Sequence, residues 1–379
     1  MENRCSGCSA CAIICPVGCI NMKLNYKGFL RPYIDKEKCI KCNLCKRICI
    51  FNQKEDGRGL DTAELYAAWS KNKEVRITTT SGGIGYEIAK YAIQKNYYVC
   101  GVEFLYDEMK AQHCICKNYE DIEKIKGSKY LQSDCKHAIR ELVQILKNDS
   151  SKKTIFFGTP CQVAGMHNIL VKNNLRDQVV LIDIFCHGVP TFYLWNKYLK
   201  WLENRKKIKA NEIKQINFRD KKYSWHTYYM HITYEENKEY ICNRKKDPFL
   251  KLFSMGVLNQ KECFSCQYRN SSFADIRLGD FWGERFQNSE KGYSMVLVLS
   301  QKGKDIINNL EEIQKEEIPI KERLGQQHTD YILPDGYDRG FEMLNKDHDN
   351  LKKIINYYDP ISKRVIRECK EQIKKLLRR

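Results

Sequence analysis

From residue 63 onward, short apolar runs alternate with segments whose apolar residues recur at helical spacing. The runs Tyr66–Trp69, Tyr97–Phe104, Lys153–Phe157 and Val179–Phe185 predict strands. Between them, Ile84, Ile88, Tyr91 and Ala92 predict a helix opened by Ser81-Gly82-Gly83. Ala138, Leu142, Val143 and Leu146 share one face of a helix over Ser133–Lys147, and two more helices are predicted over Pro160–Val171 and Thr191–Asn204. Strands alternating with helices predict an α/β domain over about residues 63–205. After it, His226–Tyr234 and Tyr293–Leu299 read as strands of a second, smaller α+β lobe over about residues 206–315. From about 337 the pattern is helical, and Ile361, Val365, Cys369, Ile373 and Leu377 recur every four residues against a Lys/Arg-rich face. That predicts a helical tail with a solvated basic side. The polar stretch 52–62, with two glycines, reads as a linker.

Ahead of this α+β body the rhythm is set by cysteine. Cys5, Cys8, Cys11 and Cys15 form one run, with Pro16 after it, and Cys39, Cys42, Cys45 and Cys49 form a second. Both read C-x2-C-x2-C-x3-C, and the second repeats the first at an offset of 34. This is the ligand spacing of a two-cluster [4Fe-4S] ferredoxin, in which the fourth cysteine of each run ligates the other cluster. Cys5, Cys8, Cys11 and Cys49 are therefore expected to hold one cluster, and Cys39, Cys42, Cys45 and Cys15 the other. Structural zinc favours separated C-x2-C pairs, and disulfides need an oxidising compartment, so neither fits these triplets well. Ile50 stands where a proline would match the first run, but that position is not a ligand.

Composition adds bounds. The 379 residues suffice for an electron-transfer module plus one or two larger domains. No run of 18 apolar residues exists, so no membrane span is expected. A ligand at position 5 leaves no room for a signal peptide, and thiolate clusters need a reducing interior, so a cytoplasmic location is expected. The formal charge is +18. Each oxidised cluster with its thiolates carries about −2, so three would leave about +12. Residues 1–60 alone hold 11 Lys/Arg against 5 Asp/Glu. Such a surface suits an acidic electron-carrier protein, a partner oxidoreductase, an anionic cofactor or a small-molecule acceptor, but a generally basic solvated surface with no specific partner is the plainer reading. Nucleic acid is the rival ligand, motivated by charge and by the aromatic-basic stretch 193–209, but it is not the expected one.

Other residues carry candidate chemistry. Cys161 opens a helix behind Pro160, Cys186 ends a strand, and Cys263 and Cys266 form a C-x2-C; on spacing alone these bind a third cluster, zinc or nothing. Cys19, Cys100, Cys114, Cys116, Cys135, Cys242 and Cys369 read as packing residues. Thr80, Ser81, Gly82 and Gly83 could cradle a phosphate or form a tight turn. Ser128, Lys129 and Tyr130, behind Gly127, supply a hydroxyl, a cation and a ring. Arg219, Asp220 and Lys221 could hold an anionic substrate or close a salt-bridged turn. His187 could donate a proton or tune a neighbouring centre, or serve structure alone. Trp282, in the run Asp280–Gly283, could shape a pocket or pack a core.

In order along the chain, GFLRPYID (28–35), TSGG (80–83), GSKYLQSD (127–134), GTPCQVAG (158–165), CHGVP (186–190), FRDK (218–221), the C-x2-C at 263–266 and ADIRLGDFWG (274–283) resemble the family of coenzyme F420 hydrogenase/dehydrogenase beta subunits, in the form with a fused N-terminal ferredoxin. The resemblance covers about residues 1–300. It implies a ferredoxin domain over 1–55, an FAD-binding region over 63–150 that is the N-terminal part of the beta subunit, and a C-terminal part with a third cluster over 151–315; the helical tail expected over 316–379 lies outside it. It implies cluster ligands at Cys161, Cys186, Cys263 and Cys266, and FAD contacts at Thr80, Ser81, Gly82, Gly83, Ser128, Lys129 and Tyr130. The implied activity passes electrons from clusters to FAD and on to coenzyme F420 or another small acceptor. A non-catalytic electron-transfer subunit is the alternative.

Overall fold

The computed structural model describes residues 4–52, 57–324, 332–346 and 351–360. At its centre lies an eight-stranded sheet in the order Ile313–Ile318, Glu64–Ser70, Ser294–Val298, Ile276–Asp280, Val179–Ile184, Thr154–Phe157, Tyr98–Leu105, Lys110–Cys116. Strands 276–280, 179–184, 154–157 and 98–105 run parallel, and antiparallel strands close both sides. Parallel strands covered on both faces need apolar side chains at successive positions. Accordingly Cys100, Phe156 and Leu181 pack against helices Lys136–Asn148 and Pro160–Lys172 on one face. Val99, Ile155 and Ile182 pack against helix Ile84–Gln94 on the other.

The sheet redraws one expected boundary. Strands 276–280, 294–298 and 313–318 belong to it, not to a separate second lobe. The lobe is smaller: the three-stranded sheet Ile213–Asp220, Tyr229–Tyr234 and Lys238–Asn243, packed with helices Phe192–Lys206 and Pro248–Met255. Helices Tyr337–Asn345 and Leu351–Tyr358 join that same core. The periodic residues from Ile361 to Leu377 lie outside the described residues. The expected linker is also corrected. Arg58–Gly59 pairs with Ser271–Ser272, Leu60 is fully buried, and a Cβ on Gly57 would meet the Ser272 backbone at 2.7 Å.

The N-terminal module carries a local repeat. Gly7 and Ser9 in the first cysteine run, and Lys41 and Asn43 in the second, all hold positive φ (70°, 62°, 53° and 60°). Each pair sits at the 34-residue offset, and each leads into a short helix, Ala10–Ile14 and Leu44–Arg47. Alternating left-handed residues turn successive N–H groups inward, a nest suited to an anionic group. The hairpin Ile20–Leu24 and Leu30–Ile34 completes the module. It docks on helices 136–148 and 160–172 through Ala10, Ile13 and Ile48. The Arg140 guanidinium donates to the carbonyls of Ala12, Ile13 and Cys15, and Asn168 to that of Ile48.

Candidate functional site

Three groups of thiols lie in sequence along the module and the core. Cys5, Cys8, Cys11 and Cys49 are near enough for each charge to disfavour its neighbours. Cys45 is similarly coupled to Cys42 and Cys15, and Cys19 to Cys15 and Cys39. Cys19, expected as packing, also lies 3.4 Å from the Cys15 sulfur. In the core, Cys161, Cys186, Cys263 and Cys266 line one cavity of about 60 Å³, with Ser6, Glu262 and Tyr268 in its wall. That space admits a compact inorganic group and no organic cofactor.

Local structure explains how these thiols converge. Pro160 opens helix 160–172, and the Thr159 N–H donates to Gln162 Oε1 at 3.1 Å, which places Cys161 in the first turn. The Gly188 N–H donates to the Cys186 sulfur at 3.4 Å, with Gly188 at φ 102°. Asn259 holds this turn by donating to the His187 carbonyl at 2.9 Å. Burial pushes the Cys161 thiol up to about 11 and the Cys186 thiol up to about 12, with mutual repulsion adding to each. Burial therefore outweighs the helix terminus, and positive charge among these thiols, such as iron would supply, would favour their thiolates.

The donor set fits iron–sulfur chemistry. All four core groups are thiols, and the buried Ser6 hydroxyl lies beside Cys161 in the same wall. Among the described residues, no three His, Cys, Asp or Glu side chains are placed to hold a metal ion. A cubane binds its thiolates at four separate corners, so its ligands stand wider apart than those of one ion.

Behind the same turn opens a cavity of about 1090 Å³. It lies at the carboxyl ends of the parallel strands, lined by Phe157–Thr159, Ile184–Pro190 and Leu278–Asp280, where ligands bind open α/β sheets. Thr80, Ser81, Gly83, Ser128, Lys129, Tyr130, His187 and Arg219 line it, whereas Gly82, Asp220 and Lys221 do not. Gly82 is fixed by packing, since a Cβ there would meet the Ala68 carbonyl at 2.3 Å. Lys221 donates to the carbonyls of Arg76 (2.5 Å) and Ser81 (2.6 Å), and Asp220 accepts from His231 at 2.5 Å. These two side chains brace the walls.

Arg219 pairs with Asp280 through two bonds of 2.5 and 2.7 Å. Ser81 Oγ (2.6 Å) and Trp225 Nε1 (3.1 Å) also donate to Asp280. Burial alone would raise Asp280, but the Arg219 charge and these donors hold it below the usual carboxylate range. Lys129 donates to the carbonyls of Lys126 and Gly127, and burial lowers its ammonium to about 7. Tyr130 stacks on Phe253 at 4.1 Å, and Trp282 on Trp225 at 4.7 Å. Sequence reasoning missed His226, Arg244 and Lys245 in this wall. The basic run 244–246 was the available signal. Buried Nε atoms of Arg219 and Arg244 and Nε2 of His226 lack hydrogen-bond partners behind the cavity wall. Its volume exceeds that of ordinary drug-sized sites, as a dinucleotide requires.

An α/β core with a thiol-lined pocket beside a large crevice defines a class of redox protein. Residues 65–140 match the model for the N-terminal part of the coenzyme F420 hydrogenase/dehydrogenase beta subunit, and residues 151–322 match the model for its C-terminal part. Residues 4–52 match a 4Fe-4S dicluster domain. The chain belongs to the family of coenzyme F420 hydrogenase/dehydrogenase beta subunits, an oxidoreductase-type family, with a fused 4Fe-4S dicluster domain. It is 23% identical over 337 residues to one of the subunits of the F420H2 dehydrogenase of Methanosarcina mazei, covering 85% of this chain and 87% of that one. It is 23% identical over 325 residues to the coenzyme F420-dependent sulfite reductase of Methanocaldococcus jannaschii, spanning 82% of this chain and 48% of that relative. A solved chain of the F420-reducing [NiFe] hydrogenase complex from Methanosarcina barkeri aligns over 80% of this chain and 94% of its own, at TM-score 0.49 and 17% identity. No helix among the described residues is long and apolar enough to cross a membrane.

Proposed function

We propose that this chain is an iron–sulfur flavoprotein oxidoreductase, carrying electrons from the N-terminal module through a third cluster to FAD and on to a small acceptor such as coenzyme F420. The observation that carries this reading is a shared wall: Phe185, Cys186, His187, Gly188 and Val189 line both the four-cysteine cavity and the large crevice. A cluster ligand and the crevice are thereby separated by one turn of chain, a short path for electrons. Two relatives whose names carry F420 chemistry support the acceptor class.

Cys161, Cys186, Cys263 and Cys266 would hold the third cluster. Thr80, Ser81, Gly83, Ser128 and Tyr130 would hold FAD, with Gly82 setting the turn from behind. A bound flavin supplies the exchange between single electrons and a two-electron hydride. The chain's own residues orient and neutralise. Arg219, fixed by and neutralised against Asp280, shapes the crevice wall, and Arg244 and Lys245 bring positive charge for an anionic acceptor. His187 stands at the shared wall, where a proton could be held beside the transfer. Asp220 and Lys221 shape the site at one remove.

Anaerobic purification with iron, sulfide and flavin analysis tests the proposal. Three clusters give about 12 Fe per chain and two give about 8, so Cys263→Ser should remove about 4. Unchanged iron in that variant counts against the third cluster, and absence of flavin counts against the larger mechanism. Stoichiometric flavin reduction with no turnover of F420 or any small acceptor would favour the non-catalytic electron-transfer role.

A further inference from the structure

The second cysteine run is the exposed end of the thiol series. Among the described cysteines, Cys42 alone is exposed. The loop around it is a solvent-facing knob: Ile40 is 61% exposed, and Lys41 and Asn43 are also exposed. Residues 36–47 carry five basic side chains and one acidic one, Glu37, and all six are exposed. Lys38 pairs with Asp35 at 3.4 Å, whereas Lys36, Lys41 and Lys46 make no ion pair among the described residues. The first run differs. Cys8 packs against helix 160–172, and Cys5 is held by its N–H bond to Glu262.

We propose that this knob is the docking surface for an acidic one-electron carrier protein. The inference rests on the iron–sulfur reading above and adds the partner and the place. Ile40 supplies an apolar centre beside an exposed ligand, and Lys36, Lys41 and Lys46 supply a rim complementary to carboxylates. Such a rim speeds encounter and weakens with salt. The step is one electron: the carrier is oxidised by one and the centre held by Cys39, Cys42, Cys45 and Cys15 is reduced by one. No bond or proton moves.

The test uses the anaerobic holoprotein and a reduced, acidic plant-type [2Fe-2S] ferredoxin as probe, with a mono-sulfonated viologen, whose reduced radical carries no net charge, as the small reductant. Cluster bleaching is followed by stopped-flow absorbance. With ferredoxin, the rate should fall steeply as salt rises. A Lys36→Glu, Lys41→Glu, Lys46→Glu variant, with iron content equal to the parent, should be slower by tenfold or more at low salt. Reduction by the viologen should be the same in both. Ferredoxin reduction that is absent, independent of salt, or unchanged in the variant overturns the surface. Failure of the viologen to bleach the parent protein overturns the iron–sulfur reading beneath it.

Discussion

Arg31 reaches from the N-terminal hairpin to Glu262, donating to its Oε2 at 3.2 Å and to Gln260 Oε1 at 2.8 Å. The other Glu262 oxygen accepts from the Cys5 N–H at 3.2 Å. One carboxylate thus clamps the first cysteine of the module to the loop that carries Cys263. Both side chains are largely shielded, so this pair is worth more than a surface bridge. Glu262→Ala should lower stability by about 2–4 kcal/mol, because it leaves Arg31 without its charge partner. Iron should leave the variant faster under a chelator, and Arg31→Lys, with Glu262 in place, should show a smaller loss, since lysine keeps the charge but lacks the planar fork that spans Gln260 and Glu262. Equal iron-release rates in parent and variant would refute the clamp.

Lys221 sits behind the crevice and ties Arg76 and Ser81 together through their carbonyls. Burial pushes its ammonium down to about 7, so the bonds must offset a desolvation cost. Lys221→Met removes donors from two buried carbonyls, at about 1–3 kcal/mol each. The Thr80–Gly83 turn should loosen, and flavin content after gel filtration should drop well below one per chain. Iron should stay constant, since no cysteine ligand touches this residue. Full flavin occupancy would show that the turn does not need the lysine.

Asp247 caps helix Pro248–Met255, accepting from Leu250 N–H at 2.9 Å, and takes hydroxyl bonds from Tyr198 (2.7 Å) and Tyr240 (3.0 Å). Burial pushes its carboxyl up to about 6 despite these donors. In the unfolded chain it ionises near 3.9, so between those values the folded state binds the extra proton. The stability it contributes is present at low pH and is lost as pH rises through about 6. From about pH 5 to about pH 8 the loss is about 1–2 kcal/mol. Asp247→Asn cannot ionise and should lack this fall. The difference in denaturation midpoint between parent and variant, followed across that range, measures it directly.

How much of this was legible in the chain depended on range. The cluster spacing is local, and so is its cause: Gly7 and Lys41, with Ser9 and Asn43, repeat one backbone shape at a fixed offset. Strands 154–157 and 179–184 announced themselves as apolar runs because they are covered on both faces. Strand Ile313–Ile318 gave no such signal, since it lies at the sheet edge with only its end residues buried. Its neighbour-to-be, Glu64–Ser70, lies some 240 residues earlier, so the sheet's closure was invisible to any window. The crevice was half legible for the same reason. Short motifs marked Ser81 and Tyr130, but Arg219 finds Asp280 61 residues away, and Arg244 enters from the lobe. Spacing cannot report such convergence.

Gly165 supplies the last prediction. A Cβ on this residue would lie 3.2 Å from the Cys8 sulfur and 3.2 Å from Ala10 Cβ. Helix 160–172 thus leaves little room for a side chain where the first cysteine run presses against it, one turn beyond Cys161: even a Cβ would make its neighbours give by a few tenths of an ångström. On the proposed function, this contact would set how near the two thiol groups stand and so the length of the electron path between them. Gly165→Val inserts three carbons into this seam. Overpacking costs about 1–3 kcal/mol, less than enough to unfold a domain of this size. The module should be pushed off the helix while both thiol sets remain intact. With iron content matched to the parent, magnetic coupling between the paramagnetic centres in the fully reduced protein should weaken, and flavin reduction through the module should slow. Unaltered coupling with Val in place would mean that the seam yields elsewhere and that Gly165 does not set the distance.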